Sequence, residues 1–237
     1  MHQSQTTEQT STTLAIEREY LFISIDIVRD FVCSDGIFAQ TYGLDDVRPI
    51  IEVTDRIVEC IKYSKDPEVQ SRIKSTLICC QSEYKHKQFK TQGLENLCVL
   101  PEGQESVIPY DLFDYKLVKT TNSMFDVKSF QSLLGDSQDT EIVVEPKQAF
   151  LELLSQFNND KKYIVIMGVT SNSCVRTSST ELSKLGFKNI LIPLDCVACR
   201  SKTQSGIQFL EKETKTFDIM TVKSWKDLYQ SEVINQC

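Results

Sequence analysis

The chain has 237 residues with 26 basic against 33 acidic side chains, and the resulting charge of −7 leaves no basic stripe for phosphates, which excludes nucleic acid as a main partner. A hydrophobic fraction of 41% and a charged fraction of 25% suit one globular α/β domain, and no apolar run is long enough to span a bilayer. Nine cysteines in a chain of this size, with no leader-like segment, are expected to be reduced thiols in the cytoplasm.

Residues 1–15 are rich in Gln, Ser and Thr and read as a disordered tail, with a single domain over 16–237. Tyr20 to Ile25 is an apolar strand that runs into Asp26. An acid at a strand end is either a turn former or a carboxylate at the active edge of a sheet, and position alone leaves both open. Asp45-Asp46 followed by Val47, Ile50, Val53, Ile57 and Ile61 predicts a helix, with Pro49 tolerated in its first turn. Ser75 to Cys80 is the next strand. The segment 83–109 is polar and irregular, and loops this long commonly cover a pocket or a partner surface. Tyr115 to Val118 is a short strand ending in Lys119. Val127–Leu134 is expected to be a helix closed by Gly135, with a loop over 136–139. Ile142-Val143-Val144 is either an edge strand or the lead-in to a helix over Lys147–Phe157.

The most informative stretch is Lys161 to Arg200. An apolar strand, Tyr163 to Met167, ends at Gly168, and a polar turn leads to Cys174 at the opening of an amphipathic helix that Gly186 closes. Ile190 to Leu194 follows as a second strand, ending in Asp195. Strand, crossover helix and strand build parallel sheet, whose ligands bind beyond the carboxyl ends of the strands. A thiol in a first helical turn meets unpaired N–H groups and the positive dipole end, which favour thiolate. Thr203–Glu213 reads as a helix, Thr216–Thr221 as a last strand, and Ser224 as the cap of a terminal helix.

Six strands alternating with helices predict a doubly wound, mostly parallel six-stranded sheet with helices on both faces, a Rossmann-like three-layer fold. There is no G-x-G-x-x-G and no phosphate loop, so no cofactor is expected. Cys196 and Cys199 form a CxxC, but His2 and His86 are the only histidines, so no metal site is expected and these cysteines read as buried and inert. Asp26, Lys119 and Cys174 each end a strand or follow one. On one rim of the sheet they would form a coherent nucleophilic set of base, cation and thiol.

Several ordered motifs carry a resemblance. The run from Leu21 to Phe31 is similar to an opening strand plus Asp-x-Gln-Asn-Asp-Phe block. Val118-Lys119-Thr120-Thr121-Asn122-Ser123-Met124-Phe125 is similar to a Lys, then Ser-Ala-Phe, segment. Gly168 to Val175 is similar to Gly-Val-x-Thr-Asn-x-Cys-Val, and Asp195 to Cys199 to Asp-Ala-Cys-Ala-Ser. In these blocks the chain resembles the isochorismatase-like cysteine hydrolases, the superfamily of nicotinamidases and N-carbamoylsarcosine amidases.

The resemblance implies Asp26 as general base, Cys174 as nucleophile and Lys119 as supporting cation. It also implies a cis peptide between Val169 and Thr170 that helps Cys174 form an oxyanion hole, and Phe31 and Phe125 at the substrate pocket. The implied activity is hydrolysis of an amide, ureide or carbamoyl C–N bond of a small molecule through a thioester, in a dimer or higher homo-oligomer. Two alternatives stand beside it: an inactive relative serving as a binding or scaffold protein, and vinyl-ether hydrolysis of the isochorismatase type. Val28 and Arg29 replace the Gln-Asn pair, and Asn122 stands where many members carry Tyr. The region from Cys80 to His86 lacks the histidine spacing of a nicotinamidase metal site, so nicotinamidase activity is not expected.

Overall fold

The structure, a computed structural model, describes residues 18–134, 145–200 and 203–229. The expected tail and the ambiguous Ile142–Val144 segment lie outside these residues. The strands are β1 (Arg18–Ile25), β2 (Ile73–Ser82), β3 (Tyr115–Lys119), β4 (Val127–Ser132), β5 (Lys162–Val169), β6 (Ile190–Pro193), β7 (Val197–Ala198) and β8 (Met220–Val222). The helices are α1 (Arg29–Val32), α2 (Ile37–Tyr42), α3 (Leu44–Ser64), α4 (Pro67–Gln70), α5 (Pro101–Gln104), α6 (Pro146–Ser155), α7 (Cys174–Lys184) and α8 (Thr203–Phe217).

The strands form one sheet of order β4-β3-β2-β1-β5-β6-β8, with β7 paired to the end of β5. All pairs are parallel except β3 with β4. The chain lays down β1, β2 and β3 in one direction and β5, β6 and β8 in the other. The direction of winding therefore reverses between β1 and β5, the switch point at which such sheets open a crevice.

Continuous apolar strands follow from burial on both faces. Along β1, Tyr20 and Phe22 enter the core under α3, while Leu21, Ile23 and Ile25 enter the core on the opposite face with Phe150 of α6 and Leu182 of α7. Along β5, Val165 and Met167 face the first core, and Ile164 and Ile166 the second. A period-2 backbone sends neighbours to opposite layers, and here both layers are apolar.

The doubly wound α/β class is as expected, but among the described residues the sheet has eight strands rather than six. Val127–Ser132 is an antiparallel edge strand, not a helix. Phe130 stacks on Tyr115 of β3, with ring centroids 5.2 Å apart and 12° between planes, a cross-strand aromatic pair that favours sheet. The two-residue β7 was too short to leave a periodic signal. The last boundary also moves: α8 runs to Phe217, whose ring takes the Lys184 ammonium at 5.3 Å, and Asp218 at φ 53° ends the helix. The strand after it covers only Met220–Val222, followed by a short 3-10 turn at Trp225–Tyr229.

Candidate active site

β1, β2, β3 and β5 end side by side at the switch point, and each delivers a polar group there. Asp26 follows β1, Ser82 ends β2, Lys119 ends β3, and Cys174 opens α7 after β5. The register pairs Ser82 with Lys119, and the Asp26 amide donates to the Cys80 carbonyl at 2.8 Å. Asp26 has φ 56°, a left-handed turn that carries its carboxyl over the end of the sheet. Gly168 permits the close approach of β5 to β1: a Cβ there would lie 2.0 Å from the Ile25 carbonyl oxygen, and its φ is 117°.

The three residues singled out in the sequence come together. Lys119 Nζ lies 2.9 Å from Asp26 Oδ2 and 3.6 Å from Cys174 Sγ. Both members of the ion pair are fully buried, and Cys174 is 2% exposed. Ser82 Oγ ties the pair together, donating to Asp26 Oδ1 at 2.8 Å and accepting from Lys119 Nζ at 2.6 Å. A further ammonium hydrogen goes to the Thr121 carbonyl at 2.9 Å. Asp26 Oδ2 lies beside the lysine charge but accepts no well-directed hydrogen bond from it, which leaves this buried oxygen a free lone pair.

The electrostatics oppose one expectation. A thiol at a helix N-terminus beside a lysine was expected to be thiolate, yet burial pushes Cys174 up to about 11. Lys119 pulls in the other direction, while the Asp26 carboxylate adds to the rise. Desolvation outweighs the helix end, and the resting group is a thiol. For Lys119, burial opposes the charge, but the Asp26 carboxylate overcomes it and holds the lysine protonated, well above its ordinary range.

The peptide between Val169 and Thr170 is cis. It starts the turn into α7, where Ser173 occupies the cap position with no side-chain capping bond. The Cys174 N–H belongs to the first helical turn, whose donors have no intrahelical acceptor.

Phe31 and Phe125 are core residues on opposite faces of the sheet. Phe31 packs on Phe38 at 4.5 Å between centroids, and Phe125 on Phe150 at 5.9 Å. Phe125 also borders a surface cavity of about 310 Å³ with Asp126, Lys147 and Glu181. The Asp195 carboxylate accepts from Ser224 Oγ at 2.7 Å and the Trp225 amide at 2.9 Å, which anchors the last turn. Cys196 is buried, and burial pushes its thiol far up, as for an inert core cysteine.

Sequence reasoning passed over two groups that touch the site. Ser82 could have been found from its place at the end of the strand between those of Asp26 and Lys119. Tyr84 stands two residues further on, with its hydroxyl 3.7 Å from Cys174 Sγ and 3.5 Å from Lys119 Nζ. Burial pushes this phenol well above its ordinary range, so it meets the sulfur as a neutral hydroxyl. Tyr84 begins the long 83–109 segment, which folds back over the site: Val28 bridges Ser106, the Arg29 amide donates to Glu105 at 2.9 Å, and the Cys98 amide donates to Asp30 Oδ2 at 2.6 Å.

No sequence-family profile and no curated protein matches the chain. Solved structures do. An isochorismatase-like hydrolase from Alkaliphilus metalliredigens superposes with a TM-score of 0.61 at 14% identity, over 90% of this chain and 99% of the other. The fold is that of the isochorismatase-like hydrolases. An isochorismatase family protein from Desulfovibrio vulgaris gives 0.61 at 13% identity, over 92% of this chain and 100% of that one. The N-carbamoylsarcosine amidase of Thermoplasma acidophilum shares the isochorismatase-like fold at 0.52 and 14% identity, over 90% and 99%. Among the described residues no helix is long and apolar enough to cross a membrane, and no cluster of three or more potential metal ligands occurs.

Proposed function

We propose that the protein is a cysteine-dependent hydrolase that cleaves a C–N bond of a small molecule through a thioester on Cys174. The observation that carries this reading is a buried ammonium in contact with both a carboxylate and a thiol, the three delivered by three strand ends to one point. The amidase among the fold's relatives points to the same bond class.

In the proposed cycle Asp26 removes the Cys174 proton as the sulfur attacks the carbonyl carbon, so thiolate forms only in the step that uses it. Lys119, paired with the base, stabilises the sulfur charge. The oxyanion is received by backbone N–H groups at the Val169-Thr170 turn and Cys174. Protonated Asp26 then gives its proton to the leaving nitrogen as the C–N bond breaks. Water, deprotonated by Asp26, cleaves the thioester, releasing the acid and restoring the thiol. This assignment accounts for a resting thiol high in pKa, since a base held on the same lysine supplies what the helix end alone does not.

Closure of the site favours one rival: an inactive relative whose polar cluster is purely structural. Ammonia release from a panel of small amides, ureides and carbamoyl compounds separates the two. The hydrolase reading expects release from at least one compound and none from Cys174→Ala; equal release by both proteins would end it.

A further inference from the structure

The groups around the Cys174 sulfur fall into two sets. Asp26, Lys119 and Tyr84 are buried and anchored: Asp26 and Lys119 by each other, and Tyr84 by its backbone N–H, which donates a hydrogen bond to the Cys98 carbonyl at 3.0 Å, and its ring edge on Phe89. The second set is Asn122, whose Oδ1 is 3.7 Å from the sulfur, and Ser173, whose Oγ is 4.0 Å away. Both are half-buried, so solvent reaches the sulfur's neighbourhood on their side. Ser173 is held by its backbone, donating to the Thr170 carbonyl at 3.0 Å and accepting from the Thr177 amide at 2.8 Å. Asn122 sits at the tip of the turn 120–126, closed beneath it by the Thr120 amide to the Asp126 carbonyl at 3.1 Å. Of the two, Asn122 is the side chain that can turn aside without unwinding α7.

We propose that Asn122 sets substrate specificity: its carboxamide holds, over the thiol, the place that a small, neutral primary amide takes in the reacting complex. This deepens the hydrolase reading and rests on it. The group resting on the sulfur is itself a primary amide with its oxygen toward the thiol, so the position already fits that shape and polarity. Charge points the same way. Asp26 and Lys119 neutralise each other, and Tyr84, Asn122 and Ser173 are uncharged. An anionic acyl group would lose its hydration there without meeting a free cation among these contacts. Substrate enters as Asn122 swings outward, and its amide replaces the asparagine's.

Alkylation tests this without turnover. Iodoacetamide is a neutral primary amide, and iodoacetate is an anion of similar size. Labelling of Cys174 by each is followed by peptide mapping at about pH 9, near the ordinary thiol range. Wild-type Cys174 is expected to prefer iodoacetamide over iodoacetate by at least about tenfold more than glutathione does, roughly one pKa unit's worth of discrimination. Asn122→Ala should speed iodoacetamide labelling by about tenfold or more, and the near-isosteric Asn122→Asp, which keeps the fold, should slow labelling by both reagents. Phe89→Ala, which loosens the covering segment instead, should leave the rate within about twofold. The proposal is overturned if both Asn122 variants label at the wild-type rate, if Phe89→Ala opens the site instead, or if the wild-type reagent ratio equals that of glutathione. Loss of the hydrolase reading would show differently, as absent ammonia release with this labelling pattern intact.

Discussion

Lys119 and Asp26 form an ion pair with no exposure at all, and such pairs are costly to break from one side. Lys119→Met strands a buried carboxylate, so urea denaturation should show a loss of ~3–5 kcal/mol, while adding Asp26→Asn should restore part of it. The thiol gives a second residue-scale expectation. With Cys174 pushed up to about 11 by burial, its thiolate fraction, and hence its alkylation rate, should climb through the alkaline range. Lys119 lowers that value and Asp26 raises it, so Asp26→Asn should move the alkylation midpoint to lower pH and Lys119→Met to higher pH, read from rate against pH. At this scale the sequence marked the residues but misjudged their state. A helix opening is visible in sequence, whereas the depth at which the sulfur lies depends on Tyr84 and Asn122, which come from elsewhere in the chain.

Two elements hold the site in shape. β5 lies close against the end of β1 because residue 168 has no side chain. Gly168→Ala forces a methyl onto the Ile25 carbonyl at an unfavourable φ, costing at least ~1–2 kcal/mol for the backbone alone, to be measured by denaturation midpoint. The covering segment hangs from Asp30, whose carboxylate also fills the space a Cβ at Gly103 would take. Asp30→Ala leaves the buried Cys98 amide without its acceptor, at a cost of ~1–3 kcal/mol. Hydrogen exchange should then quicken over 94–104 and stay slow in β1 and β2. Apolar periodicity sufficed for β1, α3, β5 and α7, where burial on one or two faces dictates the pattern. It failed for β4, whose half-exposed Val-Lys-Ser-Phe-Gln-Ser run suits either period until Tyr115 supplies a stacking partner across the strand.

Across the whole molecule, the order of the strands does the work that no local motif can. Winding outward in both directions from β1 and β5 leaves their carboxyl ends as neighbours, so residues 26, 119 and 174 meet despite their distance in sequence. That convergence was readable as a rim of strand ends, and the ordered motif blocks made the fold readable too, at an identity of 13–14% to the solved structures compared above. The length of the polar 83–109 segment made its covering role readable, but not which of its side chains reaches the sulfur, because the segment has no period of its own. The central claim is that the sulfur of Cys174 carries the acyl group between two half-reactions. Its most direct test is the mass of the Cys174 peptide after rapid acid quench during turnover of an amide that gives ammonia release. The account predicts an added acyl mass on Cys174, absent in Cys174→Ala; steady turnover with an unmodified Cys174, or with the acyl group on another residue, would contradict it.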